Sequence, residues 1–227
     1  HGVTIREALD GAVGYIDKDL ADDPDVYADV QVMIGRLYAR LNRRESAQQH
    51  FQKALDVYRH RLGEESCTYL TALSDLAWIV QPGEQEQIFR QLVDIYRRQH
   101  GNDHPLTMVH EAFVAGCLNW RGAFVEAEPL LRRALAFRVN VNEETENTGY
   151  VLYELGISLH GQGKNEEAEI CFRRALAVQR KVHGEDHFHV ATTLRSFAKF
   201  LSDCGREDEA RQAREQAEAI RQKRVGP

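Results

Sequence analysis

The sequence predicts an all-α fold, a right-handed superhelical solenoid of antiparallel helix pairs, with five pairs behind one leading helix. Three observations carry this. Ala47, Ala127, Ala168 and Ala210 recur, and Ala54, Ala134, Ala175 and Ala217 each follow seven residues later. A second column, about a dozen residues upstream, reads Gly35, Gly116, Gly156 and Ala198. The steps from 127 to 168 and on to 210 are 41 and 42 residues, and 47 to 127 is 80, which fits two repeats with one shortened. Small residues recurring among bulky apolar neighbours mark close helix crossings, and a period of this length marks stacked repeats.

The elements follow in order. Residues 1–3 (His1-Gly2 with no Met) read as a tag remnant or the edge of a cut chain, so the whole is expected to be a fragment of a longer protein. Ile5, Leu9, Ala12, Val13, Ile16 and Leu20 fall at helical spacing, which predicts an amphipathic helix over 4–20. Its segment Ile5-Arg6-Glu7-Ala8-Leu9-Asp10 echoes Phe51-Gln52-Lys53-Ala54-Leu55-Asp56, so it is expected to be half a repeat. Five repeats follow, at 25–63, 64–101, 102–142, 143–184 and 185–223. Their helices are expected over 25–41, 45–61, 65–80, 84–99, 105–120, 124–140, 146–160, 165–182, 187–202 and 206–223. Pro24 and Pro105 fit helix starts, where the missing N–H costs nothing. Asp103 and Asp186 are candidate N-caps.

Two repeats depart from the pattern. In the second, Gln85 and Leu92 occupy the Ala columns, and Ala77 to Gln85 spans 8 residues where the others span 11 or 12. Gln81-Pro82-Gly83 is expected as its turn, the most irregular of the set. In the fifth, Arg214 stands where the others place an apolar residue, giving the polar outer face of a terminal cap, with the array ending near Arg221.

The columns Ile34-Gly35-Tyr38-Ala47-Phe51-Ala54 and Leu155-Gly156-Leu159-Ala168-Phe172-Ala175 resemble the tetratricopeptide repeat. The 42-residue form resembles its kinesin light chain subtype, through Gly122-Ala123-Phe124-Val125-Glu126-Ala127-Glu128-Pro129-Leu130-Leu131-Arg132-Arg133-Ala134-Leu135 and the turns His183-Gly184-Glu185-Asp186-His187 and His100-Gly101-Asn102-Asp103-His104-Pro105. The opening half-repeat followed by such repeats also resembles the region appended to bacterial Ser/Thr protein kinases and to winged-helix transcription activators.

Composition narrows the function. A net charge of −6 argues against direct nucleic-acid binding, which needs clustered Lys and Arg. Arg132-Arg133 and Arg173-Arg174, beside Glu126/Glu128 and Glu166/Glu167, read as solvated helix-face pairs. No stretch has the apolar length of a membrane span. Cys67, Cys117, Cys171 and Cys204 show no CxxC pairing and read as free thiols, which leans towards a reducing, cytoplasmic setting. His183, His187 and His189 tempt a metal reading, but the first two belong to the resemblance's turn motif, and no thiol or carboxylate stands at the usual spacing. Neither metal nor cofactor is expected. No phosphate loop, GxSxG or HExxH is present, so the fragment is read as non-catalytic.

The resemblance implies a groove lined by first-helix residues six and three before the column residue and one and four after it. That stripe reads Asp29, Val32, Arg36 and Ala39; Thr71, Ser74, Trp78 and Gln81; His110, Phe113, Cys117 and Trp120; Tyr150, Tyr153, Ile157 and His160; Thr192, Arg195, Lys199 and Ser202. The partner-binding candidates are Arg36, Trp78, His110, Phe113, Trp120, Tyr150, Tyr153, His160, Arg195 and Lys199. Trp, Tyr and Arg are the usual hot-spot types. The alternative is that both tryptophans pack as ordinary core. The preferred function is a protein- or peptide-binding scaffold in a larger bacterial signalling protein. It would take an acidic segment with an aromatic or aliphatic anchor, and self-association is compatible with it. A kinesin-light-chain-like cargo adaptor is the first alternative, against which stand Val32, Ser74, Phe113, Tyr153 and Arg195, where that family places groove asparagines. A small-ligand sensor is the second.

Overall fold

The computed structural model describes residues 11, 16, 20, 22–140 and 145–225. The expected leading helix over 4–20 thus lies outside the described residues, apart from Gly11, Ile16 and Leu20. Among the described residues there are ten helices: α1 Pro24–Arg40, α2 Arg44–Leu62, α3 Cys67–Ala77, α4 Pro82–His100, α5 Pro105–Trp120, α6 Phe124–Asn140, α7 Glu146–Gly161, α8 Asn165–His183, α9 Phe188–Asp203 and α10 Glu207–Val225. The chain divides into two compact units, one up to Ile95 and one from Tyr96 onward.

In the first unit α1 packs on α2 and α2 on α3. Ala47 and Ala54 of α2 are wholly buried, because a larger side chain would hold the two helices apart. In the second unit α5 pairs with α6, α7 with α8 and α9 with α10. Ala127, Ala134, Ala168, Ala175 and Ala210 are again at 0% exposure, so the small column marks the crossing in each pair. The first helices of consecutive pairs are also neighbours, α5 against α7 and α7 against α9.

The turns inside pairs are near copies of one another. Gly163 has φ +76°, and its amide donates to the carbonyl of His160 while Lys164 N donates to that of Leu159. Gly122, Gly205 and Asn42 hold the same left-handed place, which closes the last carbonyls of each first helix. The second repeat has no such residue. There α3 stops after 11 residues, and Ile79 N and Val80 N both turn back to Leu76 O. Pro82-Gly83 lies inside the first turn of α4 instead of forming the turn, a correction to the expected Gln81-Pro82-Gly83. The turn is made by 78–81, since Pro82 is better placed where no N–H is needed.

The expected Asp caps are also corrected. His104 and His187 occupy the N-cap positions of α5 and α9, each accepting at Nδ1 from the amide two residues on, at 3.3 and 3.4 Å. Asp186 instead receives Lys223 Nζ at 2.9 and 3.1 Å. Pro24 and Pro105 do open their helices. Arg214 is exposed and reaches Glu207.

Candidate functional site

The two units present their first-helix residues separately. In the first unit Arg36 is not an open cation. Its Nε and Nη2 meet Asp75 Oδ2 at 2.7 and 2.6 Å, tying α1 to α3. Val32 is buried. Trp78 caps the end of α3, half exposed, with one edge on Phe89 at 5.3 Å.

In the second unit His110, at the start of α5, is buried at 5% exposure, which corrects its expected place on the surface. Its ring lies between Tyr96 and Phe113, at 4.8 and 5.5 Å, and Nδ1 meets Leu106 O at 2.7 Å. The last turn of α4 covers this position, and burial keeps the imidazole pKa below its ordinary value. Phe113 meets the edge of Tyr150 at 5.4 Å, joining α5 to α7. Cys117, one turn on, is buried. Trp120 at the end of α5 is 75% exposed, the most solvent-facing large apolar residue among the described residues.

Further along the same face, Tyr153 is half-buried, its hydroxyl 3.2 Å from Ser196 Oγ of α9. His160 is held by Asp203 at 3.0 Å and by Asn165 at 3.3 Å, with its ring against Phe200. Arg195 and Lys199, one turn apart on α9, are exposed, and among the described residues neither pairs with a carboxylate. That sets them apart from the second-helix arginines. Arg132 bridges Glu128 and Glu167, Arg173 pairs with Glu169 (not Glu166 or Glu167), and Arg206, just ahead of α10, joins Glu169 to Glu209. Arg133 is no solvated pair at all. It reaches Glu111, whose side chain is 2% exposed and also receives Arg97 at 2.9 Å.

Sequence reasoning missed a second buried carboxylate. Glu154 on α7 accepts from Asn119 Nδ2 of α5 at 2.9 Å, while the same amide reaches its backbone carbonyl at 2.8 Å. Burial pushes its pKa up to about 7, against the lowering effect of Asn119 and of the Tyr150 hydroxyl. Tyr150 is in turn driven well above its ordinary range, first by burial of the hydroxyl and then by Glu154. Its hydroxyl sits where a Cβ on Gly116 would lie only 2.3 Å away, so the column glycine admits it. The signal available was the pair of polar residues in buried register on otherwise apolar first helices. Tyr150 is therefore half structural: its ring edge faces Phe113, and its hydroxyl belongs to the interior.

What remains open on α5, α7 and α9 is an apolar and cationic face: Trp120, Phe113, Tyr153, Ile157, Arg195 and Lys199. A separate cleft of about 190 Å³ lies among α8, α9 and α10, lined in part by Arg173, Phe197, Glu209 and Gln216. It is smaller than the ~300 Å³ at which small-molecule sites begin. All four cysteines are free, Cys117 and Cys171 buried, Cys67 and Cys204 exposed. Among the described residues no helix is long and apolar enough to cross a membrane.

Models of the tetratricopeptide repeat match residues 28–66, 108–176 and 147–223. The chain is a tetratricopeptide-repeat protein. The matched ranges leave out 67–107, where this tetratricopeptide array has its short α3 and lacks both column alanines. A search of curated protein sequences finds no significant match. Among solved structures, the chain is similar to the nearly identical TPR-like repeats of a kinesin light chain candidate from Podosopora anserina. The identity is 20% and the TM-score 0.63, over 87% of this chain and 96% of that one. It is also similar to BtubC (BKLC) from P. vanneervenii, at 15% identity and TM-score 0.68, over 97% and 91%. A third is a Rap protein complexed with competence and sporulation factor, at 18% identity and TM-score 0.69, over 84% and 53%. At these identities the likeness is one of fold.

Proposed function

We propose that this chain is a non-catalytic scaffold that binds an extended or helical protein segment along the first helices α5, α7 and α9. The observation that carries this is the open face itself. Trp120 is 75% exposed at one end, while Arg195 and Lys199 stand without carboxylate partners at the other. An indole left in water forgoes the burial that large aromatics normally achieve, and unpaired cations beside half-buried aromatics suit an acidic segment with an apolar anchor. Phe113 and Tyr153, half-buried between these ends, supply a rigid floor. Repeats stacked in one dimension form continuous surfaces of this kind. That one array of similar fold, the Rap protein, is held in complex with competence and sporulation factor supports partner binding as the role of the face.

Arg36 and His110 drop out as direct contacts, because Asp75 and the α4–α5 packing already occupy them. Trp78 offers a second, separate apolar contact in the first unit. We place the chain in a larger signalling protein, where the resemblance of its opening segment and repeats to regions of bacterial kinases and winged-helix regulators supports a partner-recruiting role.

A displayed library of random segments selected against the protein tests this reading. Acidic segments with one aromatic or large aliphatic residue should be enriched, and enrichment should collapse against Trp120→Ala and against Arg195→Glu. Selection of the same segments by both variants, with their helical content intact, would move the site elsewhere.

A further inference from the structure

The turn between α8 and α9 gathers three imidazoles. His183 closes α8, His187 is the N-cap of α9, and His189 lies in its first turn. The rings of His183 and His187 stack at 4.2 Å, and His189 lies 5.3 and 5.0 Å from them. One nitrogen from each comes within 4.8 Å of the others.

The turn between α4 and α5 serves as an internal control. There His100 and His104 stack in the same way, at 4.3 Å, and His104 caps its helix as His187 does. The stacked pair and the cap account for two histidines in each turn. They do not account for the third, since the residue in the place of His189 is Leu106.

Two more observations point to a ligand. Nε2 of His183 is buried and has no hydrogen-bond partner among the described residues, a deficit that a metal bond would remove. Nε2 of His189 meets Glu146 Oε1 at 3.1 Å, the carboxylate contact that fixes a ring's tautomer and turns its other nitrogen towards a metal. The nearer carboxylate by sequence, Asp186, is taken by Lys223.

We propose that His183, His187 and His189 bind one divalent transition-metal ion of the zinc class. Glu146 is the orienting carboxylate, and solvent fills the fourth position. Zinc bound tetrahedrally to imidazole holds its ligand nitrogens about 3.3 Å apart, so small side-chain rotations close the present spacing.

Calorimetric titration of chelator-treated protein with zinc tests the site. One ion per chain should bind. His189→Leu, which copies the sister turn, should weaken binding about 100-fold or more, and Glu146→Gln about 10-fold to 100-fold. His100→Ala should change nothing. No saturable binding, or full affinity in His189→Leu, would overturn the site. Should His189→Leu lose helical content, imidazole NMR of the parent decides. At one equivalent of zinc the signals of His183, His187 and His189 should shift while those of His100 and His104 stay. Shifts spread evenly over all histidines would count against it.

Discussion

Gly156 of α7 lies under the ring of Phe172 of α8, so close that a Cβ on the glycine would sit 3.1 Å from Cδ1 and Cε1 of that ring. Gly35 and Phe51 repeat the contact at 3.1 Å in the first unit. The Gly column and the Phe column of the sequence are thus two sides of one contact, in which a flat ring fills the space that a missing side chain leaves.

Gly156→Ala should therefore destabilise the protein even though Ala favours a helix by about 1 kcal/mol. Phe172 is 1% exposed and hemmed in by Phe197 and Phe200, both at 5.7 Å, so its ring has nowhere to move. We expect a net loss of about 1–3 kcal/mol, read as a lower denaturant midpoint. Ala168→Leu, at a wholly buried crossing, should lose a similar amount. Gly83→Ala is the opposite case. Nothing lies within 4 Å of its added Cβ, and it sits in the first turn of α4, so stability should rise by a few tenths to about 1 kcal/mol. A gain for Gly156→Ala would show that the Gly–Phe contact does not set the crossing.

Glu154 makes the stability depend on pH. Its folded-state pKa of about 7 lies above the ordinary 4.5, so between these values the folded state holds a proton that the unfolded chain has released. Stability from this group is full below about 4.5 and is lost as pH rises through about 7. The difference in unfolding free energy between the parent and Glu154→Gln should change over that window by up to ~3 kcal/mol, with the parent falling as pH rises. Glu128, held down at about 2 by Lys164 first and by Arg132 and Gln162, acts in the opposite sense and only below the same window. A flat difference curve from pH 4 to 8, roughly the range where stability is ordinarily greatest, would mean that Glu154 is not buried as described.

The helices were legible because small and apolar columns fix which faces cross, and all ten described helices fall near their expected spans. Side-chain destinations were less so. Counting from Gly116 puts His110 on the open stripe, yet it stands at the start of α5, where Tyr96 of the preceding helix covers it. The shortened second repeat was visible as a missing four residues. Which helix gave them up was not, and the answer is α3, with Pro82 free to start α4. The partnership of Asn119 with Glu154 spans 35 residues, and no local pattern announces it.

Cutting the chain after Gly184 removes α9 and α10, and with them Leu194, Phe197 and Phe200 from the face of α8 and Phe172. In stacked repeats such a loss bares one continuous apolar surface. The shortened protein should aggregate, or elute as an oligomer in size-exclusion chromatography. A soluble, helical monomer would mean that α8 does not depend on its neighbour.

The face of α5, α7 and α9 is tested most directly by fluorescence anisotropy with one segment selected from the library. Its dissociation constant would be measured against the parent, Trp120→Ala and Arg195→Glu/Lys199→Glu, at low and high salt. Truncating a central aromatic anchor should cost about 2 kcal/mol, or about 30-fold in Kd. Reversing the charges should slow association and remove most of the salt dependence, since open-groove charges govern on-rate more than affinity. If the folded variants bind with the parent's Kd and the parent's salt dependence, the partner lies on another face.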